Sequence, residues 1–158
     1  MPLGAYRLVR TDRASGAFSG EGSRLFGGRW NPKGVAVVYC SQHLSLCVLE
    51  FRVNQDRFRP RDGYSFFRVI IPENLVEKLP LEKAPWGWDR RDLPSARPTP
   101  AQQFGERWVQ EARSVVLEVP SAVLPQECNY VLNPHHRDFG QLHLERALPI
   151  RLDERLWR

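Results

Sequence analysis

Hydrophobic positions along the chain fall into short runs that predict many strands and few helices. Continuous β-branched runs or alternation of apolar and polar residues mark the strands, and proline ends two of them. The predicted strands are Tyr6–Val9, Val35–Cys40, Tyr64–Ile71, Ser114–Val119, Asn129–Leu132, Gln141–Leu144 and Ala147–Leu152. Because strands and helices do not alternate regularly, the pattern favours an α+β (mixed α/β) fold with central β-sheets and few short helices over a doubly wound parallel sheet.

Two segments carry helical signals. Ser41 is a reasonable N-cap for a helix that runs through about Phe51, and this helix is apolar almost all round, so we expect it to be buried. Farther along, Thr99 and Gln102 form a capping-box pattern with proline at the first helical position. The glycine-rich and polar stretch Arg10–Gly34 is predicted to be a loop.

Length and composition favour one folded domain over residues 1–158, because 42% of the residues are apolar and 26% are charged. No stretch approaches the ~20 apolar residues of a membrane-spanning helix, and the start lacks the apolar region of a secretory signal. Three cysteines without a CxxC pair are typical of reduced thiols, so we expect a cytoplasmic protein. The net charge of +5 suits an anionic ligand or an acidic partner, and also simple solubility.

The segment Leu79–Pro100 differs from the rest of the chain in composition. It holds five prolines together with Trp86 and Trp88. We interpret it as a long irregular connection, a kind of segment that is often functional. Both tryptophans are expected to be buried, because large aromatic side chains are poorly suited to a free linker.

Common catalytic and metal-binding motifs are absent from the sequence. It contains no P-loop, no GxGxxG, no HExxH and no GxSxG elbow. The neighbouring His135 and His136 would diverge on an extended segment, so we predict two loop histidines and no metal site. Cys47 lies in the apolar helix, where packing in the core is a better explanation than a nucleophile.

The segment Phe26–Cys40 (FGGRWNPKGVAVVYC) holds the first candidate binding residues. Arg29 lies between Gly28 and Trp30, and Lys33 is close in sequence. Glycine permits a close approach of the backbone, and arginine offers a planar fork of donors, as binding of a phosphate or pyrophosphate requires. A surface arginine stacked on Trp30 explains the same residues, and the sequence leaves both interpretations open.

Glu50, Tyr39 and Ser121 are further candidates. Glu50 projects over apolar neighbours in its predicted helix, so its carboxylate needs a cation, a hydrogen-bond donor or a proton. Such carboxylates are enriched at functional sites, although an ion pair to Arg52 or Arg24, or partial exposure at the helix end, are alternatives. Tyr39 is either an ordinary core tyrosine or a stacking platform with a free hydroxyl, and Ser121 is either a turn residue or a site residue.

Four motifs in this order resemble the RES-domain family: GGRWNPKG, VVYC, LSLCVLE and VPSAVLPQECNYVLNPHH. The resemblance covers nearly the whole chain, from YRLVR to the turn at Asn133. The family is named for an arginine, a glutamate and a serine, which correspond here to Arg29, Glu50 and Ser121. Its site tyrosine corresponds to Tyr39.

The resemblance implies a single domain similar to the ADP-ribosyltransferase fold and a bacterial toxin of a toxin–antitoxin pair. Such a toxin would use NAD as a substrate, with no bound cofactor. It would cleave the nicotinamide–ribose bond and transfer ADP-ribose to water, phosphate or a protein acceptor. Its implied partner is an Xre-type helix-turn-helix antitoxin that occludes the NAD pocket, so nucleic acid would be reached only through the antitoxin.

The resemblance also implies roles for individual residues. The residues implied to bind NAD are Arg29, Tyr39, Lys33 and Arg24. Arg29 would fix the phosphates, and Tyr39 would pack on the nicotinamide or its ribose. Glu50 would stabilise the cationic ribose or orient the acceptor, while Ser121 would hydrogen-bond the ribose or Glu50. The choice of acceptor is expected to depend on Leu79–Pro100, which the family motifs do not cover.

Two functions of other classes compete with this enzyme. A nucleic-acid-binding module would use the basic charge, the arginines of Arg57–Arg61, and the aromatic rings of Trp30, Trp86 and Trp88. Against it, the charges are scattered and no nucleic-acid-binding motif is present. A pure interaction protein would instead use the tryptophan-rich segment as a docking surface.

Overall fold

One mixed β-sheet organises the protein, whose computed structural model describes residues 1–54, 63–90 and 97–157. The strands are β1 (Leu3–Arg10), β2 (Val38–Ser41), β3 (Tyr64–Ile71), β4 (Val76–Lys78), β5 (Val116–Pro120), β6 (Cys128–Leu132), β7 (His143–Leu144) and β8 (Leu148–Ile150). The α-helices of the described ranges are α1 (Glu21–Phe26), α2 (Leu44–Asn54) and α3 (Pro100–Gln110). Short 3₁₀ turns cover Thr11–Gly16, Glu73–Leu75, Leu81–Lys83, Phe139–Gln141 and Glu154–Trp157. The predicted α+β class is confirmed.

The sheet brings distant segments of the chain together at its centre. Its strand order is β4-β5-β6-β2-β1-β3-β7, and β8 pairs with β3 as well. The β4–β5 pair is parallel, and the other pairs are antiparallel. In the β2–β6 pair Ser41 lies opposite Asn129. The central strands therefore place residues near position 40 beside residues near position 129.

Apolar side chains fill both faces of the sheet. Side chains alternate along a strand, so β2 directs Val38 and Cys40 into one buried cluster and packs Tyr39 against another. The second cluster contains Trp30 and the fully buried Trp108 of α3. Helix α2 packs on a third cluster at β1 and β3. No helix within the described ranges is long and apolar enough to cross a membrane.

The strand predicted at Val35–Cys40 is shorter than expected, because β2 begins only at Val38. The backbone of Val35 is bonded within its own loop: its N–H donates to the carbonyl of Pro32, and its carbonyl accepts from the Asn31 side chain. Backbone groups that are satisfied in this way do not extend the strand. The predicted C-terminal strands also shorten, to the two residues of β7 and the three of β8.

The prediction that Ser41 caps the second helix is wrong. Ser41 ends β2, and its hydroxyl donates to Asn129 Oδ1 at 2.8 Å, while α2 starts at Leu44. The prediction that α2 is buried all round is also wrong, because Leu49 and Val53 are 42% and 43% exposed. One face of α2 therefore contacts solvent, although Leu46 and Cys47 lie in the core.

The stretch Arg10–Gly34, predicted to be a loop, contains a 3₁₀ turn and the short helix α1. Gly20 and Gly27 flank this helix with φ values of 73° and 72°. This left-handed conformation favours glycine, so the residues that look like loop signals in the sequence are the ends of a helix.

The two tryptophans of Leu79–Pro100 behave differently. Trp88 is buried and stacks on Trp30 with ring centroids 6.2 Å apart. Trp86 is 71% exposed and lies beneath the Arg90 guanidinium at 5.6 Å, so its predicted burial is wrong. The part of the segment that the structure describes is thus anchored to the core through Trp88.

The predicted start of helix α3 is confirmed. The helix packs directly against the loop that precedes β2. Thr99 and Gln102 form a complete capping box. One turn later, a Cβ added at Gly105 would stand 1.7 Å from the carbonyl oxygen of Trp30. Only glycine allows the helix backbone to approach the loop backbone this closely.

We expect Gly105→Ala to lower the free energy of unfolding by about 1–3 kcal/mol, the usual cost of overpacking a well-packed site. Urea denaturation of the purified protein measures this change. Gly22→Ala in α1 is the matched control, because no atom lies within 4 Å of its added Cβ. That variant should be neutral or more stable by about 0.5–1 kcal/mol, and equal destabilisation by both substitutions would contradict the prediction.

Candidate active site

A cleft of about 1710 Å³ opens beside the central strands. Arg29, from the loop after α1, lines it together with Tyr39 of β2 and Glu50 of α2. Lys33 also lines the cleft and is exposed. Four of the residues predicted from the sequence therefore share one cavity, although they come from different elements.

The Glu50 carboxylate is half-buried and is held by two donors on one oxygen. Ser121 Oγ donates to Glu50 Oε1 at 2.7 Å, and Asn129 Nδ2 donates to the same atom at 2.6 Å. Among the described residues no hydrogen bond reaches Oε2, which leaves that oxygen for the cleft that Glu50 lines. The ion pairs to Arg52 or Arg24 considered from the sequence do not form, because Arg52 donates to Leu156 and Arg24 pairs with Glu21.

Both donors to Glu50 have a fixed orientation. The Ser121 oxygen accepts from the N–H groups of Val123 and Leu124 at 3.1 and 3.0 Å, so its proton is free to point at the carboxylate. Asn129 Oδ1 accepts from the Ser41 hydroxyl, which directs its amide N–H group towards Glu50. The two hydrogen bonds offset the loss of water around the half-buried carboxylate and fix its orientation.

Arg29, a second charged residue of the cleft lining, is held by backbone carbonyls. Its Nη1 donates to the carbonyl oxygen of Trp88 and, at 3.3 Å, to that of Arg90. The loop is fixed further by Gln102, whose Nε2 donates to the Gly28 carbonyl at 3.0 Å. Arg29 is therefore not a free surface arginine, and Trp30 is buried and stacks on Trp88.

Tyr39 joins the Arg29 loop to β2 through its hydroxyl. The hydroxyl donates to Asn31 Oδ1 at 2.6 Å and accepts from the Trp30 N–H at 3.0 Å. Burial raises the pKa of the Tyr39 hydroxyl well above its ordinary value, so the phenol stays neutral. One interpretation of the sequence left this hydroxyl free, but the structure shows that both of its hydrogen bonds are made within the protein. Only the ring is available to a ligand.

Arg7 of β1 is a residue of the cleft that the sequence analysis missed. Its Nε donates to the carbonyl of Ala17 at 2.6 Å, and its Nη1 donates to the carbonyl of Tyr39 at 3.0 Å. Neither partner is a carboxylate. Burial lowers the pKa of the Arg7 guanidinium, but arginine remains charged throughout the physiological range. A half-buried cation without a described counter-ion favours an anion in the cleft.

Positive charge dominates the cleft as a whole. The described cationic residues of its lining are Arg7, Arg10, Arg13, Arg29, Lys33, Arg90 and Arg97, against the acidic Glu21 and Glu50. Arg24 is not itself among the lining residues, but its side chain forms an ion pair with Glu21, which lines the cleft. Arg24 therefore lies at the edge of the cleft, whereas Lys33 lines it.

Other titratable residues have structural explanations. Cys47 borders the cleft, but burial raises the pKa of its thiol to about 11, so it is a poor nucleophile. His136 is buried, with Nε2 on the Ala112 carbonyl and Nδ1 accepting from the Asp138 N–H. Within the described ranges no group of three His, Cys, Asp or Glu side chains is placed to hold a metal ion.

Known proteins resemble this chain over nearly its whole length. The RES domain model matches residues 5–153. "Toxin Res" of Photorhabdus laumondii is 34% identical over 152 residues, 96% of this chain and 95% of the relative. "Toxin Res" of Yersinia enterocolitica is 31% identical over 85% of this chain and 86% of the relative.

Two further comparisons extend this finding. The "Prs ADP-ribosylating toxin" of a Sphingobium species is 34% identical over 76% of this chain and 74% of the relative. The crystal structure of the M. tuberculosis MbcT–MbcA toxin–antitoxin complex contains a chain that matches this one with a TM-score of 0.71. The match covers 95% of this chain and 85% of that chain at 18% sequence identity, so it shows a shared fold. With a domain match over almost the entire sequence and relatives above 30% identity, the chain belongs to the RES-domain family of toxins.

Proposed function

We propose that this chain is the toxin of a toxin–antitoxin pair and that it consumes NAD in the cleft described above. It would break the nicotinamide–ribose bond and transfer ADP-ribose to an acceptor. The observation that carries the proposal is the Glu50 carboxylate, which is held on one oxygen by two donors inside an otherwise cationic cleft. The relative named as an ADP-ribosylating toxin supports NAD as the substrate.

The chemistry suits a fixed carboxylate. As the bond between C1′ of the ribose and the nicotinamide nitrogen breaks, its electron pair leaves with neutral nicotinamide, and the ribose gains oxocarbenium character. A lone pair of the acceptor oxygen or nitrogen then forms the new bond to C1′, and the acceptor loses a proton. The free Glu50 oxygen would stabilise the developing positive charge or orient the acceptor.

The cations of the cleft suit the pyrophosphate of NAD. Arg29 offers a fork of donors whose position is set by the carbonyls of Trp88 and Arg90. Arg7 and Lys33 add positive charge along the same cavity. The Tyr39 ring would pack on the nicotinamide or its ribose, and Ser121 would act through Glu50, since it is fully buried.

The partner is proposed to be an antitoxin of the Xre helix-turn-helix type, in keeping with the toxin–antitoxin complex that shares the fold. The excess of cationic groups around the cleft suits an acidic antitoxin segment. Water, inorganic phosphate and a protein side chain remain the alternative acceptors, because each would use the same donor site.

Nucleic-acid binding is less well supported than NAD consumption. Trp30 and Trp88 are buried at 2% and 9% exposure, so neither ring is available for stacking on a base. The arginines of Arg57–Arg61 lie outside the described residues. Trp86 alone of the three proposed tryptophans presents an exposed ring.

Mass spectrometry of the products decides between acceptors. Purified protein is incubated with NAD alone, with NAD and inorganic phosphate, and with NAD and cell extract. Free ADP-ribose, ADP-ribose phosphate and a modified protein differ in mass. NAD that stays intact in all three mixtures would overturn the proposed activity.

We expect Glu50→Gln to fold normally and to lower kcat by about 10²–10³-fold, the range found when one preorganised electrostatic partner is removed. The amide retains an oxygen for Ser121 and Asn129, so it isolates the loss of negative charge. The rate of NAD loss measures the effect, and thermal unfolding confirms the fold. Full turnover by this variant would show that Glu50 is not catalytic.

We expect Asn129→Asp to lower NAD turnover, because it replaces the donor 2.6 Å from Glu50 Oε1 by a second carboxylate that repels it. The rate of NAD loss measures the effect. Gln110→Glu is the control, because it adds one negative charge at an exposed residue of α3 that does not line the cleft. Equal loss of turnover in the two variants would contradict the proposed role of Asn129.

We expect Arg29→Ala to raise KM for NAD by about 10- to 100-fold with a smaller effect on kcat, because phosphate binding is equally present in the ground and transition states. Steady-state kinetics separates the two constants. Arg155→Ala is the control, because Arg155 pairs with Asp153 and does not line the cleft, so its KM should stay near that of the wild type. Equal increases in both variants would point to overall charge and not to a specific contact.

A further inference from the structure

Gln102 forms a second side-chain bond beyond its capping box. Its Oε1 accepts from the Thr99 N–H at 3.0 Å, and the Thr99 hydroxyl accepts from the Gln102 N–H at 3.1 Å, which completes the cap of α3. A cap needs only the acceptor oxygen of this amide. The remaining Nε2 donates to the Gly28 carbonyl, across 74 positions of sequence.

The Gly28 carbonyl belongs to the peptide unit that leads into Arg29. The same glycine donates its N–H to the Asn31 carbonyl at 2.9 Å, so both of its backbone groups are engaged. A Cβ at Gly28 would stand 2.7 Å from the Tyr39 hydroxyl, which shows how tightly the turn is packed. A bond to this carbonyl therefore sets the orientation from which the Arg29 side chain starts.

We propose that Gln102 is a positioning residue for Arg29: it couples the start of α3 to the turn that carries this guanidinium. The inference rests on the proposed function, since it assigns Arg29 a role in binding NAD. Three contacts of different kinds hold this turn from one side. They are the Gln102 amide, the close approach of Gly105 to Trp30, and the Trp88 and Arg90 carbonyls on Arg29 Nη1. Arg29 Nη1 belongs to the proposed binding group itself, so Gln102 is the donor of this set that can be altered while both Arg29 and the backbone stay unchanged.

Gln102→Glu separates the two roles of the side chain. Glutamate keeps the oxygen that accepts from Thr99, and it is favoured in the first turn of a helix, so the cap survives. It has no N–H group to donate to Gly28, so the bond to the turn is lost. A purely structural role of Gln102 in capping would leave this variant unchanged.

Gln103→Glu is the matched control for the added negative charge. Gln103 is exposed in the same helical turn, and its amide donates to the Pro98 carbonyl and not to the Arg29 turn. Both variants therefore add one carboxylate at the start of α3, and only Gln102→Glu removes the donor to Gly28. Gln102 lines the cleft and Gln103 does not, so hydrogen exchange measured without NAD is the readout that separates loss of the bond from added charge in the cleft.

Three measurements on the full chain test the proposal: thermal unfolding, amide hydrogen exchange of the peptide that contains Gly28–Asn31, and the binding and turnover of NAD. We expect both variants to unfold at similar temperatures. Gln102→Glu alone should speed exchange in the loop peptide and raise KM and the calorimetric Kd for NAD about five- to tenfold, with kcat little changed.

Each outcome decides the proposal. Equal loop exchange in the two variants, or faster exchange in Gln102→Glu with an unchanged KM, would overturn the positioning role. An equal rise of KM in both variants would assign the effect to charge and would overturn it as well. A wild-type protein that neither binds nor consumes NAD would refute the proposed function, whereas the exchange comparison would still decide whether Gln102 holds the turn.

Discussion

A carboxylate that leaves bulk water must be solvated by the protein itself, and this requirement ties the site to the sheet. Glu50 meets it with a hydroxyl that follows β5 and an amide on β6, both aimed at one oxygen. Ser41 orients that amide from the neighbouring strand. The strand order β5-β6-β2 is thus what makes a half-buried carboxylate possible, and the dipoles are already in place before a ligand arrives.

The cationic side of the cleft faces a different constraint. A guanidinium in a glycine-rich turn has no rigid element of its own, so neighbouring segments must hold it. The described part of Leu79–Pro100 does so with the carbonyls of Trp88 and Arg90, and α3 does so through Gln102 and Gly105. Trp88 accounts for part of the unusual composition of this segment, because its ring anchors the segment against Trp30.

The elements predicted correctly from the sequence depend on residues that are close neighbours in the chain. The bounds of β3 and the capping box of α3 needed only β-branched residues, a proline and a Thr-x-x-Gln pattern. Glu50 was detectable because a charge among apolar neighbours is a local anomaly. Its partners were not, since Ser121 and Asn129 lie 71 and 79 positions away and meet it only through strand pairing. The wrong predictions at Val35 and Ser41 have a related cause. The Asn31 side chain donates to the Val35 carbonyl within the loop, and the Ser41 hydroxyl donates to Asn129 on the neighbouring strand. These bonds override the local propensity of Val35 for a strand and of Ser41 for a helix cap.

Arg29 and Glu50 line one cleft, so together they would constrain how a dinucleotide lies in it. Its pyrophosphate carries negative charge, whereas its nicotinamide end carries positive charge until the bond breaks. In one direction the phosphates would meet Arg29 and the ribose that becomes cationic would meet Glu50. In the other direction the phosphates, which lie at the middle of the dinucleotide, would still meet Arg29, but the neutral adenosine would face Glu50, and the attraction between the cationic end and the carboxylate would be lost. Charge placement would therefore favour the direction that brings the scissile bond to Glu50.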